Sequence, residues 1–279
     1  MKRFVLFTFF ILFCFAVVNA QDSIPQSNVN DSIKAIVDKH NTEGEMTGVN
    51  GLATTAYNEG KFHEAIAILE KTGKEELAKG NESADLYYNL GNAYFRINDL
   101  ANARLNYERA LLLAPGDKDI KHNIDYLLTK VEDKILVADT FFLNIWFRVV
   151  QNILSSDGWA VLAIASFLVF IAGLVFFFFS KSIVVKKGAF YVGLVSLVIV
   201  IFANIFVFKQ KNKIEHRDTA VIMVGSVPAL SSPDINSKEL FILHSGTKVS
   251  VTKEDRNWFE IEIDNGSVGW ISRDKLEII

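Results

Sequence analysis

The sequence predicts a multidomain membrane protein: an α-helical repeat solenoid, two transmembrane helices and a small all-β barrel. Three observations carry this reading. Trp159–Phe179 and Gly188–Phe208 contain no charged residue, and a helix rising ~1.5 Å per residue crosses the ~30 Å hydrocarbon core in about 20 residues. Before them, apolar residues recur at helical spacing and the pattern repeats. After them come short runs rich in β-branched and aromatic residues. A pair of buried core helices is the alternative for the apolar runs. It fails because the runs are apolar on every face and the rest of the chain offers no apolar mass to enclose them.

Lys2 and Arg3, the apolar stretch Phe4–Val18 and the small-residue site Val18-Asn19-Ala20 make the three-part pattern of a secretory signal peptide. Residues 1–20 are therefore expected to be removed before Gln21; an uncleaved anchor is the alternative. Cys14, the only cysteine, lies inside this segment, so the mature chain is expected to lack disulfides, thiol nucleophiles and thiolate metal sites. A polar leader follows over residues 21–45. The net charge of −3 is unevenly spread. Both flanking parts are acidic, whereas Lys181, Lys186, Lys187, Lys209, Lys211, Lys213 and Arg217 cluster beside the apolar runs with only Glu215 against them. Such charges suit lipid phosphates. Neither soluble part has the basic surface that nucleic acid requires, so it is not an expected partner.

Residues 46–138 read as helical repeats. In Ala84–Asp117, Tyr87, Leu90, Gly91 and Tyr94 mark one helix, Ala103, Tyr107 and Ala110 a second, and Pro115 ends the unit. Gly91 and Ala103 are small where antiparallel helices cross, and Tyr94 and Tyr107 fill the space beside them. A diverged copy upstream aligns Ala65 with Ala103, Gly60-Lys61-Phe62 with Asn98-Asp99-Leu100, and Leu69 with Tyr107. The pattern resembles the tetratricopeptide repeat of about 34 residues. That resemblance implies a concave groove lined by the first helix of each unit. Carried over position by position, its residues are Asn50, Thr54, Tyr57, Tyr88, Asn92 and Arg96. His122 and Tyr126 follow from a capping helix predicted over Lys118–Val137, with Ile120, Ile124, Leu127, Leu128, Val131 and Ile135 on one side. Asparagine and arginine can hydrogen-bond an extended peptide or a carboxylate while tyrosines supply apolar contact. Ordinary solvated helix surface is the alternative. On this reading Asn92→Ala should leave stability nearly unchanged.

Residues 139–157 read as an interfacial amphipathic helix, with Phe142, Ile145, Trp146, Val149 and Ile153 on one face and Asn144, Arg148, Gln151 and Asn152 mostly opposite. The spans are assigned to 159–179 and 188–208, with a loop at 180–187 and a basic juxtamembrane linker at 209–217. Asn204, within the second span, reads either as a polar contact to a neighbouring helix or as one tolerated polar group near the end of the run. Export by a signal peptide puts Ser180–Lys187 in the cytoplasm, in keeping with its lysines. The second cluster then lies outside, against that tendency. Either way the hairpin places both soluble domains on one face of the inner membrane, expected to be the periplasmic one.

In residues 218–279, strands are predicted at Ala220–Val224, Phe241–Leu243, Lys248–Lys253, Trp258–Ile263 and Val268–Ile271. Asp264-Asn265-Gly266-Ser267 predicts a type I′ hairpin. Gly246-Thr247-Lys248-Val249, Trp258, Asn265-Gly266, Gly269-Trp270-Ile271 and Leu276 together resemble a bacterial SH3 domain. Val227–Pro233 departs from the usual pattern and puts ligand binding through that loop in doubt. Trp258 and Trp270 are ligand candidates or, alternatively, packing residues.

No metal, cofactor or nucleophile motif occurs. The five histidines are scattered without metal-ligand spacing, and Glu75-Glu76 and Glu254-Asp255 read as solvated faces. No enzymatic activity and no cofactor are expected. The order of parts resembles the BatE-type aerotolerance proteins, encoded in bacterial operons with von Willebrand-type membrane proteins and a MoxR-type ATPase. That resemblance implies a membrane-anchored scaffold or adaptor of the envelope, working with membrane lipid and other envelope proteins, the von Willebrand-type ones among them. The alternative is a cell-wall tether whose SH3-like domain holds peptidoglycan while the repeats recruit an envelope enzyme. A hydrolase or transporter has little support, since two spans alone make no pathway.

Overall fold

The helical periodicity of the N-terminal part folds into antiparallel helix pairs in the computed structural model, which describes residues 51–134 and 142–279. The signal peptide, the polar leader, Asn50 and residues 135–141 lie outside the described residues. Residues 51–58 are helical and are followed by α1 (Phe62–Ala78), α2 (Ala84–Arg96), α3 (Leu100–Leu113) and α4 (Lys118–Leu128). Side chains close three of the helix starts: Ser83 accepts from the Leu86 N–H, Asp99 from Asn102, and Asp117 from Asp119 and Ile120. The diverged unit reuses the turn of the second. Gly60 (φ 78°) and Asn98 (φ 62°) are both left-handed, and their N–H groups donate to the Tyr57 and Phe95 carbonyls.

Two apolar cores result. Ala53, Ile66, Leu69, Leu86, Leu90 and Ala93 form one; Ala103, Tyr107, Ala110, Ile120, Ile124, Leu127 and Val131 form the other. At Gly91 the helices cross so closely that a Cβ would lie 2.5 Å from the Tyr107 ring. The capping helix departs from expectation at its end. It stops at Leu128, which is 41% exposed, and the turn after it returns Val131 to the core.

Three further helices follow: α5 (Phe142–Gln151), α6 (Ser156–Phe179) and α7 (Ile183–Glu215). The last two are long and apolar enough to cross a membrane. They lie side by side along a seam of small residues. A Cβ on Gly173 would be 3.2 Å from the Ala189 carbonyl, and Ala163, Ser166, Gly193, Ser196 and Ala203 are buried on the same seam. The connection between them is only Ser180–Ser182, because Ile183–Lys187 is already helical. At the other end α7 runs on past Phe208 to Glu215, since Lys209, Gln210 and Lys211 are good helix formers. Asn204 is exposed on the outside of the pair and donates to the Val200 carbonyl of its own helix at 2.8 Å.

The C-terminal part is one antiparallel sheet. Its strands are β1 (Thr219–Ile222), β2 (Ser226–Leu230), β3 (Glu239–His244), β4 (Lys248–Asp255), β5 (Trp258–Glu262), β6 (Val268–Ser272) and β7 (Leu276–Ile278). They are arranged β3-β2-β6-β5-β4-β1-β7. The end strands β3 and β7 do not pair, so the expected barrel is not closed. Ala220, Val227, Ala229, Leu243, Val249, Phe259, Ile261 and Ile271 fill its core. Gly269 lets β6 approach β2, since a Cβ there would stand 2.8 Å from that of Ala229.

Two expectations are corrected. Strand β2 was hidden from the sequence by Pro228. It joins β6 only at Leu230↔Trp270, so over Val227–Ala229 it behaves as an edge, where proline is tolerated. The β5–β6 turn is not type I′, because only Gly266 (φ 87°) is left-handed and Asn265 is not. The Gly266 N–H donates to Ile263 O at 2.8 Å and the Ile263 N–H to Ser267 O at 3.1 Å. This is a three-residue loop closed by a left-handed glycine.

Candidate functional site

The repeat groove brings several of the expected residues together. Thr54 is exposed and Tyr57 half-buried on the 51–58 helix. With Asn89 and Asn92 of α2, over Ala53, Ala65 and Leu69, they line a small open cleft. Asn89 was missed by sequence reasoning, although it stands one helical turn before Asn92 on the same face. At one end the Arg96 guanidinium lies 4.8 Å from the Phe62 ring and 5.8 Å from that of Tyr57. Those two rings meet edge to face at 5.2 Å, so the charge is held by aromatic faces. Towards α4, Tyr126 is exposed, packs on Phe95 at 5.6 Å and carries Lys130 over its ring. His122 is exposed one turn earlier on the same helix.

Asn92 is committed to the fold. Its Oδ1 accepts from the Tyr107 hydroxyl at 2.8 Å and from the Asn123 amide at 2.9 Å. The same amide donates to the Tyr88 hydroxyl at 3.1 Å. Burial pushes the Tyr107 phenol far above its usual range, so its hydroxyl remains a donor in need of an acceptor. The expectation that Asn92→Ala would leave stability nearly unchanged does not fit this geometry. The substitution strands a buried hydroxyl, worth about 1–3 kcal/mol. Thr54, whose side chain is free of any such network, is the better place to perturb the groove alone.

The other side of the repeat is covered by the sheet domain, a contact no sequence feature announced. Leu105 of α3 packs with Val221, Met223 and Ile279. Beside them, Glu108 is buried between two cations: Arg104 Nη2 at 2.5 Å and Lys248 Nζ at 2.7 Å. Burial opposes its ionisation, but the Lys248 and Arg104 charges outweigh that and hold the carboxyl below its ordinary range. Arg109 Nη2 donates to Glu277 at 3.1 Å and to the Ile278 carbonyl at 2.7 Å. Beyond α4, Asp133 accepts from the His244 N–H, the Thr247 hydroxyl and the His244 ring, at 2.7, 2.7 and 2.6 Å. Burial again works against the carboxylate, yet those bonds keep Asp133 below its usual range. In return the hydrogen bond with Asp133 raises the His244 ring above its own.

On the sheet domain, Trp258 and Trp270 are half-buried on the face opposite the core. Core residues Phe259 and Ile261 alternate with Trp258 and Glu260 along β5. The register sets Trp258 against Ser272 and Glu260 against Trp270. The two indoles are therefore diagonal neighbours on one outward face. Glu260 between them is paired with Lys253 at 2.8 Å.

Residues 84–117 match the tetratricopeptide repeat family, and residues 227–277 match the bacterial SH3 domain family. Among curated proteins, the chain is similar to Tetratricopeptide repeat protein 16 of Homo sapiens, at 29% identity over 82 residues, and of Mus musculus, at 33% over 82 residues. Those alignments cover 29% of this chain and 9% and 10% of the two relatives, so the chain spans about a tenth of their length. This chain thus carries a tetratricopeptide repeat segment and a bacterial SH3 segment, with two apolar helices of membrane-spanning length between them.

Proposed function

We propose that this chain is a membrane-anchored adaptor of the bacterial envelope that holds a partner protein in its repeat groove, with no cofactor and no catalysis of its own. The observation that carries the reading is the docking of the SH3 domain on the α3 side. The residues lining the Thr54–Tyr57–Asn89 cleft all belong to the repeats, so that docking leaves the cleft open to a partner. The aromatic and amide lining suits an extended peptide segment. The order of repeat, hairpin and SH3 domain supports a place in a BatE-type aerotolerance complex. It also supports an inner-membrane location with both soluble domains in the periplasm and von Willebrand-type proteins as partners.

A second reading is favoured by the outward Trp258 and Trp270, which suit stacking on sugar rings: a tether that grips peptidoglycan while the groove recruits an envelope enzyme. A photo-crosslinking side chain at Thr54, with one at exposed His63 as control, tests the adaptor reading in native membranes. A discrete protein adduct from Thr54 and none from His63 is expected; equal labelling at both sites would refute it. Co-sedimentation of the detergent-solubilised chain with purified sacculi separates the two readings. No sedimentation is expected for the adaptor, whereas sedimentation abolished by Trp258→Ala would establish the tether.

A further inference from the structure

Helix α5 has two apolar faces, and the molecule uses one of them. Phe147 and Val150, with Leu154 just beyond the helix, pack on Trp159 and Phe206 at the end of the hairpin. The Phe147 and Phe206 rings meet at 5.0 Å. Polar bonds fix this seat. Gln210 Nε2 donates to the Gln151 and Leu154 carbonyls at 2.7 and 2.9 Å, and Trp159 Nε1 donates to Gln151 O at 2.9 Å. From the repeat, Gly116 comes so near that a Cβ would lie 2.6 Å from the Ile153 carbonyl. The segment is thus wedged between repeat and hairpin and is not free to roll. Its other face carries Ile145, Trp146 and Val149, which are 49%, 59% and 60% exposed, and Ile153, in the turn just beyond the helix, is 59% exposed beside them. They are spaced to form one stripe.

We propose that this stripe beds into the lipid surface beside the hairpin, so that α5 is a fixed strut holding the repeat at a set height above the bilayer. The inference rests on the hairpin spanning the membrane. Lipid is the occupant because α5 is joined through Trp159 and Phe206 to helices whose outer faces, Val161, Ile164 and Leu168 among them, are themselves exposed and apolar. The charges agree. Arg148 on α5 and Lys209 on α7 are exposed, and the Lys209 ammonium sits 4.6 Å from the Phe147 ring, at the level where lipid phosphates lie. Trp146 is the residue type that prefers this interface.

The test uses the full chain with Cys14→Ala, reconstituted in phosphatidylcholine–phosphatidylglycerol vesicles, with single spin-labelled cysteines at Ile145, Val149 or, as reference, Ile164. Collision with oxygen is expected to exceed collision with a water-soluble nickel chelate at Ile145 and Val149, as at Ile164. Ile164 in lipid with Ile145 and Val149 open to the chelate would overturn the strut. So would Ile145 and Val149 shielded from both reagents, which marks a protein neighbour. Ile164 open to the chelate would instead overturn the membrane reading, and the strut with it.

Discussion

Glu108→Ala should destabilise the folded chain by about 3–5 kcal/mol and unseat the SH3 domain from the repeat. The carboxylate is 6% exposed and is the shared anion of Arg104 and Lys248. Arg104 already has two buried nitrogens, Nε and Nη1, without a partner. Removing the anion leaves the buried Arg104 guanidinium uncompensated beside the half-buried Lys248 ammonium, and breaking a buried ion pair from one side has that magnitude. Denaturation of the detergent-solubilised protein measures the loss, and limited proteolysis reports release of the sheet domain. A companion Glu108→Ala, Lys248→Met chain should recover part of the stability, because one stranded charge is gone. A single variant that melts with the wild type would show that the charge cluster does not hold the domains together.

Gly91→Leu is the second large effect. The position faces the ring of Tyr107, which is 2% exposed. Overpacking a closed core costs about 1–3 kcal/mol and occasionally more. The upper end applies here, because the Tyr107 hydroxyl is bonded to Asn92 and the ring cannot swing aside without breaking that bond. The melting temperature of the variant should fall clearly, with loss of helical signal. Equal melting temperatures would mean that α2 and α3 do not cross at this point.

What the sequence revealed follows from the range of the forces involved. Gly91, Ala103 and Tyr107 are legible because helix crossing imposes size limits at fixed spacing. The same holds for α6 and α7, since an uninterrupted apolar run marks a long helix without reference to any distant segment. Gly60 and Asn98 announced the turns because few residues tolerate a left-handed backbone. Contacts between distant segments left no such mark. Nothing at Glu108 points to Lys248, nor at Asp133 to His244 and Thr247, because each is an ordinary polar residue until the fold joins them. Asn92 misled for the same reason, as a groove position by spacing whose oxygen is claimed by Tyr107 and Asn123. At the β5–β6 turn the Asn-Gly pair suggested the commoner two-residue loop, but the strands close around three residues. Pro228 concealed β2 because its edge character depends on the whole sheet.

In the proposed arrangement the hairpin crosses the membrane once in each direction, with repeat and SH3 domain joined on one side of it. Thiol labelling in intact cells tests this directly. In a Cys14→Ala background, single cysteines replace exposed Lys118 on the repeat, Ser182 at the hairpin turn and Lys238 on the sheet domain. With an impermeant reagent, Lys118→Cys and Lys238→Cys should be labelled and Ser182→Cys protected. Lys118→Cys and Lys238→Cys falling on opposite faces, or Ser182→Cys sharing a face with both, would contradict it.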